Sequence, residues 1–544
     1  MMPYKFLDKT ISFLLKNTKN VFFIAVAYAF LFYLPIIVYA LHVKVYFSEY
    51  IQILIEGLTA VSLIFVIFLV ASLNKRLLYT VVTVLYGLGG FSIYFFINFK
   101  QPLTYNLFRA VIHEDRDFIG DLLSRQALFL AVIAAIIGFF LLHRLEAKIS
   151  DANSDDKARH LFVRSIAVLS IILLIYGHIV IGRVVVKNVL TNYQPFPLIY
   201  YALFSKNIHT GTDILPSKVD ISKLHQLHHN MPDKKPLTVI LIIGGSLRGD
   251  ILEINGYRKY ENTPKMMRIE NFISFKNATS SATTTQISIP YILTRNSPPY
   301  WKKAIRETTV ISIFKELGFK TAWIGMRSVS LGDRHCSSIP LEAEYLLTKS
   351  DIRDKFGSKF KDGKLYDESL IPLVMSFINE NKDKNKFLVA QMQGSHWMVN
   401  LRYPGEFYKF HPECHISSVA NCTPKMLENN YHNSVLYTDF VLDELITQLR
   451  DENVFLIFAS DHGSYVTGRY FDAAMYENIP EKALVNIGMF VWGSQEFLTR
   501  YGNNFERIRG RANDAVSHSN IFHSLLGCLN IDSPLIRPEL NLCK

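Results

Sequence analysis

The sequence predicts a five-helix transmembrane domain followed by an α/β domain with a largely parallel central sheet flanked by helices. Three observations carry this expectation. Five long apolar stretches crowd the first 190 residues; from Leu237 onward short apolar runs alternate with helical periodicity; and one run, Val454 to Ser460, stops abruptly at Asp461-His462-Gly463.

The apolar stretches are Val21 to Leu41, Ile51 to Leu73, Leu77 to Phe99, Leu122 to Leu142 and Phe162 to Val186. Each is close to the roughly 20 residues that a helix needs to cross a hydrocarbon core. Five in succession have no soluble equivalent. The first is longer than the apolar region of a secretory signal and lacks a small-residue cleavage site, so it reads as a retained anchor. Lys5, Lys9, Lys16 and Lys19 precede it, Lys75 and Arg76 join spans two and three, and Arg144, Lys148, Lys157 and Arg159 join four and five. Basic short loops mark the cytoplasmic side, and an odd number of spans then places everything after Val186 outside the cytoplasm.

The chain divides into residues 1–190 (five-span membrane domain), 191–236 (interfacial linker) and 237–544 (α/β domain outside the cytoplasm). The linker opens with Tyr193, Phe196, Pro197, Tyr200, Tyr201 and Phe204, aromatics suited to the membrane interface. Its later His225, His228 and His229 precede a Pro-Asp-Lys-Lys-Pro stretch and read as a solvated connector. With 544 residues, 49% of them hydrophobic, and a formal net charge of +11, the basic balance points to an anionic membrane surface. No nucleic-acid module accompanies the charge. Of the five cysteines, Cys414 and Cys422 look like a local bridge in an oxidising compartment, the alternative being two unpaired thiols.

In the C-terminal domain Leu237 to Ile243, Thr321 to Gly325, Lys386 to Met392, Val454 to Ala459 and Val485 to Trp492 read as buried strands. Thr284 to Arg295, Val310 to Leu317, Leu370 to Asn379, Asn429 to Arg450 and His518 to Leu529 read as helices. Three strand ends then carry chemistry: Gly244-Gly245-Ser246, Gly394-Ser395-His396 and Asp461-His462. Open α/β sheets bind ligands at such carboxyl ends. An Asp-His pair there suits a metal; the plainer reading is an N-cap Asp beside a solvated His. Ser280 to Thr285 opens a helix, where a hydroxyl or phosphate gains from the dipole; the plainer reading is a capping cluster.

These motifs in this order resemble the bacterial phosphoethanolamine transferases. The resemblance rests on Ser246-Leu247-Arg248-Gly249-Asp250, Asn255-Gly256-Tyr257, Thr263-Pro264, Thr283-Thr284-Thr285 before Ser288-Ile289-Pro290, Gln393-Gly394-Ser395-His396, Asn430 to Asp439 and Ser460-Asp461-His462-Gly463. It implies an alkaline-phosphatase-like fold and a zinc-dependent ping-pong transfer in the bacterial inner membrane, with the N-terminus cytoplasmic and the C-terminal domain periplasmic. A threonine takes phosphoethanolamine from phosphatidylethanolamine and passes it to lipid A, lipopolysaccharide core or a related periplasmic glycan. By the same resemblance Thr285 is the nucleophile and a zinc ligand, Asp461 and His462 are zinc ligands, and His396 binds substrate phosphate or a second metal. Cys414 and Cys422 match one of the family's disulfides.

Departures from the pattern are as informative. The family's zinc-binding Glu after the first strand is Gly245 here, a Tyr-Leu-His-Gly stretch is Tyr470-Phe471-Asp472-Ala473, the Glu after Asp-His-Gly is Ser464, and cysteines flanking the nucleophile are Ser281 and Tyr291. Loss of an anionic ligand weakens the charge compensation of zinc. Water, Ser246, Asp472 or a bound phosphate can fill the vacancy, or the chain has kept the fold as a binding or partner protein without turnover. The sequence argues against a formylglycine sulfatase, because the Cys- or Ser-x-Pro-x-Arg signature does not occur near Thr285.

Overall fold

The computed structural model describes residues 21–32, 38, 61–62, 64–72, 74–99, 125–147, 219–221, 228–229, 235–326, 338–356, 364–414, 422–466 and 481–544. The chain forms two compact units, one within residues 1–211 and the other within 212–418 and 422–544.

In the first unit, α1 (Lys75–Phe99) and α2 (Arg125–Ala147) are the two helices among the described residues that are long and apolar enough to cross a membrane. They correspond to the expected third and fourth spans. Val21–Phe32 is a shorter apolar helix within the first, and the described part of the second is helical. The fifth, Phe162 to Val186, lies outside the described residues, so the count of five spans is not established by the fold. The α1 and α2 backbones touch: a Cβ on Gly90 would stand 2.6 Å from Ala131 Cα and from Leu130 O. Such small-residue contacts let apolar helices associate where water supplies no driving force. Beyond that contact α2 turns Leu128, Phe129 and Phe140 outward, 65%, 63% and 58% exposed, an apolar face suited to lipid rather than water.

The second unit is built on a seven-stranded sheet. In chain order its elements are β1 (Thr238–Gly244), β2 (Phe272–Ser274), β3 (Asn277–Thr279), α3 (Thr285–Leu293), α4 (Val310–Glu316), β4 (Lys320–Gly325), β5 (Tyr345–Leu347), α5 (Leu370–Glu380), β6 (Lys386–Gln391), α6 (Pro424–Leu449), β7 (Val454–Ser460), β8 (Met489–Gly493), α7 (Gln495–Gly510), β9 (Ala515–Ser517) and α8 (Ser519–Gly527). The sheet order is β2-β8-β7-β1-β6-β4-β5, while β3 and β9 form a separate parallel pair. Strands β7, β1, β6, β4 and β5 run parallel, but β8 is antiparallel to both β7 and β2. The sheet is thus mixed, a correction to the largely parallel expectation. Burial alone cannot reveal the sense of β8, since a strand buried on both faces reads as the same apolar run in either direction.

Alternation along β1 divides the core. Val239, Leu241 and Ile243 face a cluster that includes α3, α4, α7 and α8, whereas Ile240 and Ile242 face one that includes α5 and α6. Both faces are covered, so all seven residues of β1 and of β7 are buried. Local signals set the helix starts. Thr423 accepts from Met426 N at 3.2 Å with Pro424 at the first helical position, so α6 begins at Pro424 instead of Asn429. The expected strand from Val485 starts only at Met489, because Glu481–Val485 is helical and Gly488 bonds outward to Leu247 O and Ser460 N.

Candidate active site at the carboxyl edge of the sheet

Register brings the chemistry together. Ile243 pairs with Gln391 of β6 and Gly244 with Ser460 of β7, so the turns after β1, β6 and β7 leave the sheet side by side. Strand order reverses around β1, the switch point at which open α/β sheets hold ligands.

Asp461 is the hub. It is 1% exposed, and its Oδ1 accepts from Ser246 N–H and from its own neighbour His462 N–H, each at 2.8 Å. Its Oδ2 accepts from the Thr285 hydroxyl, at the first position of α3. The β7 end is clamped as well: Asp461 N donates to Gly244 O at 3.0 Å, and Ser460 Oγ accepts from Leu247 N at 2.6 Å. The positive end of the α3 dipole coincides with Thr285, which favours anionic oxygen there.

His462 completes the group. Its Nδ1 donates to Gly463 O at 2.7 Å, which turns Nε2 toward Asp461 Oδ2 at 3.6 Å. One carboxylate oxygen, one imidazole nitrogen and one hydroxyl thus converge. That donor set suits zinc with an open position for substrate, so the residues fit the metal. Among the described residues no group of three His, Cys, Asp or Glu forms a metal cluster; the third donor is the threonine oxygen.

The structure brings Thr285, Asp461 and His462 together and sets His396 in the turn after β6, on the same edge, with its carbonyl accepting from Arg402 Nε at 3.4 Å. At position 245 it corrects the notion of an empty ligand place. A Cβ on Gly245 would lie 2.1 Å from Gln393 O, so the turn after β6 occupies the space into which a side chain would extend. That turn is fixed by buried Asp367, whose two oxygens accept from Gln393 N and Gly394 N at 2.8 Å, and by Ser395 N donating to Gly245 O at 2.8 Å. Burial pushes the Asp367 carboxyl up, and the two N–H groups oppose that shift. Asp472 lies outside the described residues.

Two residues that sequence reasoning passed over also build the site. Tyr431 of α6 donates to Ser246 O at 2.7 Å and accepts from Arg248 N at 2.8 Å, holding the turn after β1. His518, fully buried, has Nδ1 3.1 Å from Ser281 N and Nε2 2.8 Å from Ser460 O; burial pushes its pKa down to about 4. A histidine between a strand-like Ala515-Val516-Ser517 and a helix was the available signal. Cys414 and Cys422 are joined, Cα atoms 5.5 Å apart, and Cys528 is joined to Cys543, a pair the sequence left unassigned.

The sulfatase family profile matches residues 237–531, more than half of the chain. The chain belongs to the sulfatase family. Among curated proteins this sulfatase-family chain is 26% identical to a Kdo(2)-lipid A phosphoethanolamine 7''-transferase of Salmonella typhimurium, over 54% of its own length and 52% of the relative's. It therefore spans about half the length of that relative. It is 24% identical to phosphoethanolamine transferase EptA of Helicobacter pylori, over 84% and 83%. Among solved structures, the integral membrane lipooligosaccharide phosphoethanolamine transferase A of Neisseria meningitidis aligns over 96% of this chain and 98% of its own, with a TM-score of 0.71 and 19% identity, which establishes a shared fold. The resemblance drawn from the motifs and the relatives found by comparison name the same group of enzymes.

Proposed function

We propose that this protein is an inner-membrane phosphoethanolamine transferase that takes phosphoethanolamine from phosphatidylethanolamine onto Thr285 and delivers it to lipid A, lipopolysaccharide core or a related periplasmic glycan. The carrying observation is the Thr285 hydroxyl bonded to Asp461 Oδ2 at a helix N-terminus, with His462 Nε2 3.6 Å from the same oxygen. The names of the relatives supply the transferred group. Five spans, a cytoplasmic N-terminus and a periplasmic catalytic domain belong to the same reading.

In the first displacement Thr285 Oγ bonds to phosphorus, the bond from phosphorus to the glycerol oxygen breaks, and diacylglycerol leaves with a proton. Asp461 Oδ2 holds the threonine proton and orients the attacking lone pair; Oδ1, saturated by two backbone N–H groups, fixes the carboxylate plane. In the second, the oxygen of an acceptor hydroxyl or protonated phosphate bonds to phosphorus, the bond from phosphorus to Thr285 Oγ breaks, and the acceptor's proton passes to Thr285 Oγ. Thr285, Asp461 and His462 would hold zinc, which when bound supplies Lewis-acid stabilisation of the phosphoryl charge. His396, on the adjoining turn, would bind substrate phosphate.

A second reading, a member that binds without turnover, is favoured by one observation: the Gln393 carbonyl fills the space beside Gly245, leaving a three-donor set. Mass spectrometry of lipopolysaccharide and periplasmic glycans from cells with and without the protein separates the two. A mass increase of one phosphoethanolamine is expected. No such increase in any fraction would reject the transferase and leave the binding protein.

A further inference from the structure

The small parallel pair β3 and β9 sets Thr279 opposite Ser517, so the residues that follow, Ser280-Ser281 and His518, emerge together under the sheet edge. His518 N donates to Thr279 O at 3.3 Å, which fixes the backbone from which the ring projects. The ring then touches two segments remote from it in sequence. Its Nδ1 accepts from Ser281 N–H, 237 positions away, and its Nε2–H donates to Ser460 O, 58 positions away. Ser281 leads into Thr285, and Ser460 immediately precedes Asp461, so each bond restrains one member of the hydroxyl and carboxylate pair.

We propose that His518 is a positioning residue for transfer: its ring spans from the loop ahead of Thr285 to the carbonyl ahead of Asp461 and sets the approach of the hydroxyl to the carboxylate. The inference rests on the transferase reading. Both ring nitrogens are committed to backbone groups, so His518 neither ligates metal nor touches substrate. A buried imidazole needs partners for both nitrogens; here the partners are the backbone groups that lead into Thr285 and Asp461. Loss of either bond frees the corresponding partner by a fraction of an ångström, and a misplacement of about 1 Å costs on the order of a hundredfold in rate.

The test uses the full-length protein in detergent with phosphatidylethanolamine as donor. An asparagine side chain presents its carbonyl oxygen near the place of Nδ1, and a glutamine its amide near the place of Nε2. His518→Asn keeps the Ser281 bond, His518→Gln keeps the Ser460 bond, and His518→Phe keeps volume alone. We expect kcat to fall about tenfold in each of the first two and further in the third, with KM for the donor within about twofold of wild type. Assays run well below the melting temperature of each variant, and the asparagine and glutamine variants decide the matter if the phenylalanine variant does not fold. Unchanged kcat in either of them, or a loss confined to KM, would overturn the positioning role. Absence of transfer by the wild type would instead reject the transferase reading.

Discussion

Gly245 offers the sharpest test of the site, because sequence and structure lead to opposite expectations. Viewed as a missing carboxylate ligand, Gly245→Glu should restore anionic charge and tighten zinc. The geometry forbids this. A Cβ at 245 would lie 2.1 Å from Gln393 O and 2.9 Å from its carbonyl carbon, both backbone atoms. Gly394, at φ +56 in the same turn, would itself set a Cβ 2.7 Å from Gly245 O, so the two glycine backbones pack against each other without intervening side chains. Ordinary contact begins at 3.4 Å, so the turn must retreat by roughly 1.3 Å, the difference between 3.4 and 2.1 Å. Retreat breaks its bonds to Asp367 and Gly245 O.

Overpacking costs about 1–3 kcal/mol and each of the three lost hydrogen bonds about 1 kcal/mol, so either Gly245→Ala or Gly245→Glu should destabilise the domain by about 4–6 kcal/mol. Melting of the purified protein should fall by on the order of 5–15 °C. Metal content after dialysis against zinc should not exceed wild type in either variant. Wild-type melting together with tighter zinc in Gly245→Glu would refute the reasoning, for it would mean that the turn after β6 moves aside without penalty.

Thr285→Ala should abolish transfer while leaving melting unchanged, and Thr285→Ser should retain measurable transfer; full activity in Thr285→Ala would remove the threonine from the reaction. Cys528→Ser opens a loop with a sequence separation of 15 and should cost about 3 kcal/mol in denaturant unfolding, against about 2–3 kcal/mol for Cys414→Ser, with separation 8; no change in either would show that the bridge constrains nothing. Stability should also fall with acid through His432, whose ring stacks 3.7 Å from Tyr260 and whose pKa burial, with Lys259, Lys425 and Arg248, pushes down to about 3. The folded value lies below the unfolded one, so its contribution is whole above about pH 6.5 and is lost as pH falls toward the folded value, by about 1.4 kcal/mol per pH unit at most. Asp439, raised to about 7 by burial, works in the opposite sense, its contribution being whole below about pH 4 and lost as pH rises through 7. Comparing wild type with His432→Gln between pH 7 and 4 isolates the histidine, and parallel curves would count against it.

Much of the fold was readable because β1, β6 and β7 are buried on both faces and so appear as unbroken apolar runs. The strand-end logic that singled out Asp461 and His462 follows from the same fact. Other elements leave weaker traces. β2 and β5 have three residues each, too few for a periodic signal. α7 buries Phe497, Tyr501, Phe505 and Ile508 at helical spacing, but intervening polar and charged residues mask the stripe. The role of His518 rests on contacts 58 and 237 positions away, which no local pattern encodes. At Gly245 the sequence registers the loss of a carboxylate; that a carbonyl from another turn fills the space emerges only from three-dimensional packing.

The column of polar residues along α6 has a physical explanation of the same kind. Asn429, Asn430, Tyr431, His432, Asn433, Ser434 and Asp439 are all buried, an unusual load for a helix packed against a sheet. The turns beyond the sheet edge have no ladder to satisfy their backbone groups, and buried backbone needs partners. α6 supplies them. Asn430 both accepts from Cys414 N and donates to Cys414 O, Asn433 does the same with Phe410, and Asp439 accepts from Lys265 N and Met266 N. Ser434 bonds Ser395 in the turn after β6, and Tyr431 bonds Ser246, whose own N–H holds Asp461 Oδ1. Each side chain therefore does for a turn what a neighbouring strand does for a strand. The Asp461 carboxylate that accepts from the Thr285 hydroxyl is thereby tied to α6 through the backbone of Ser246.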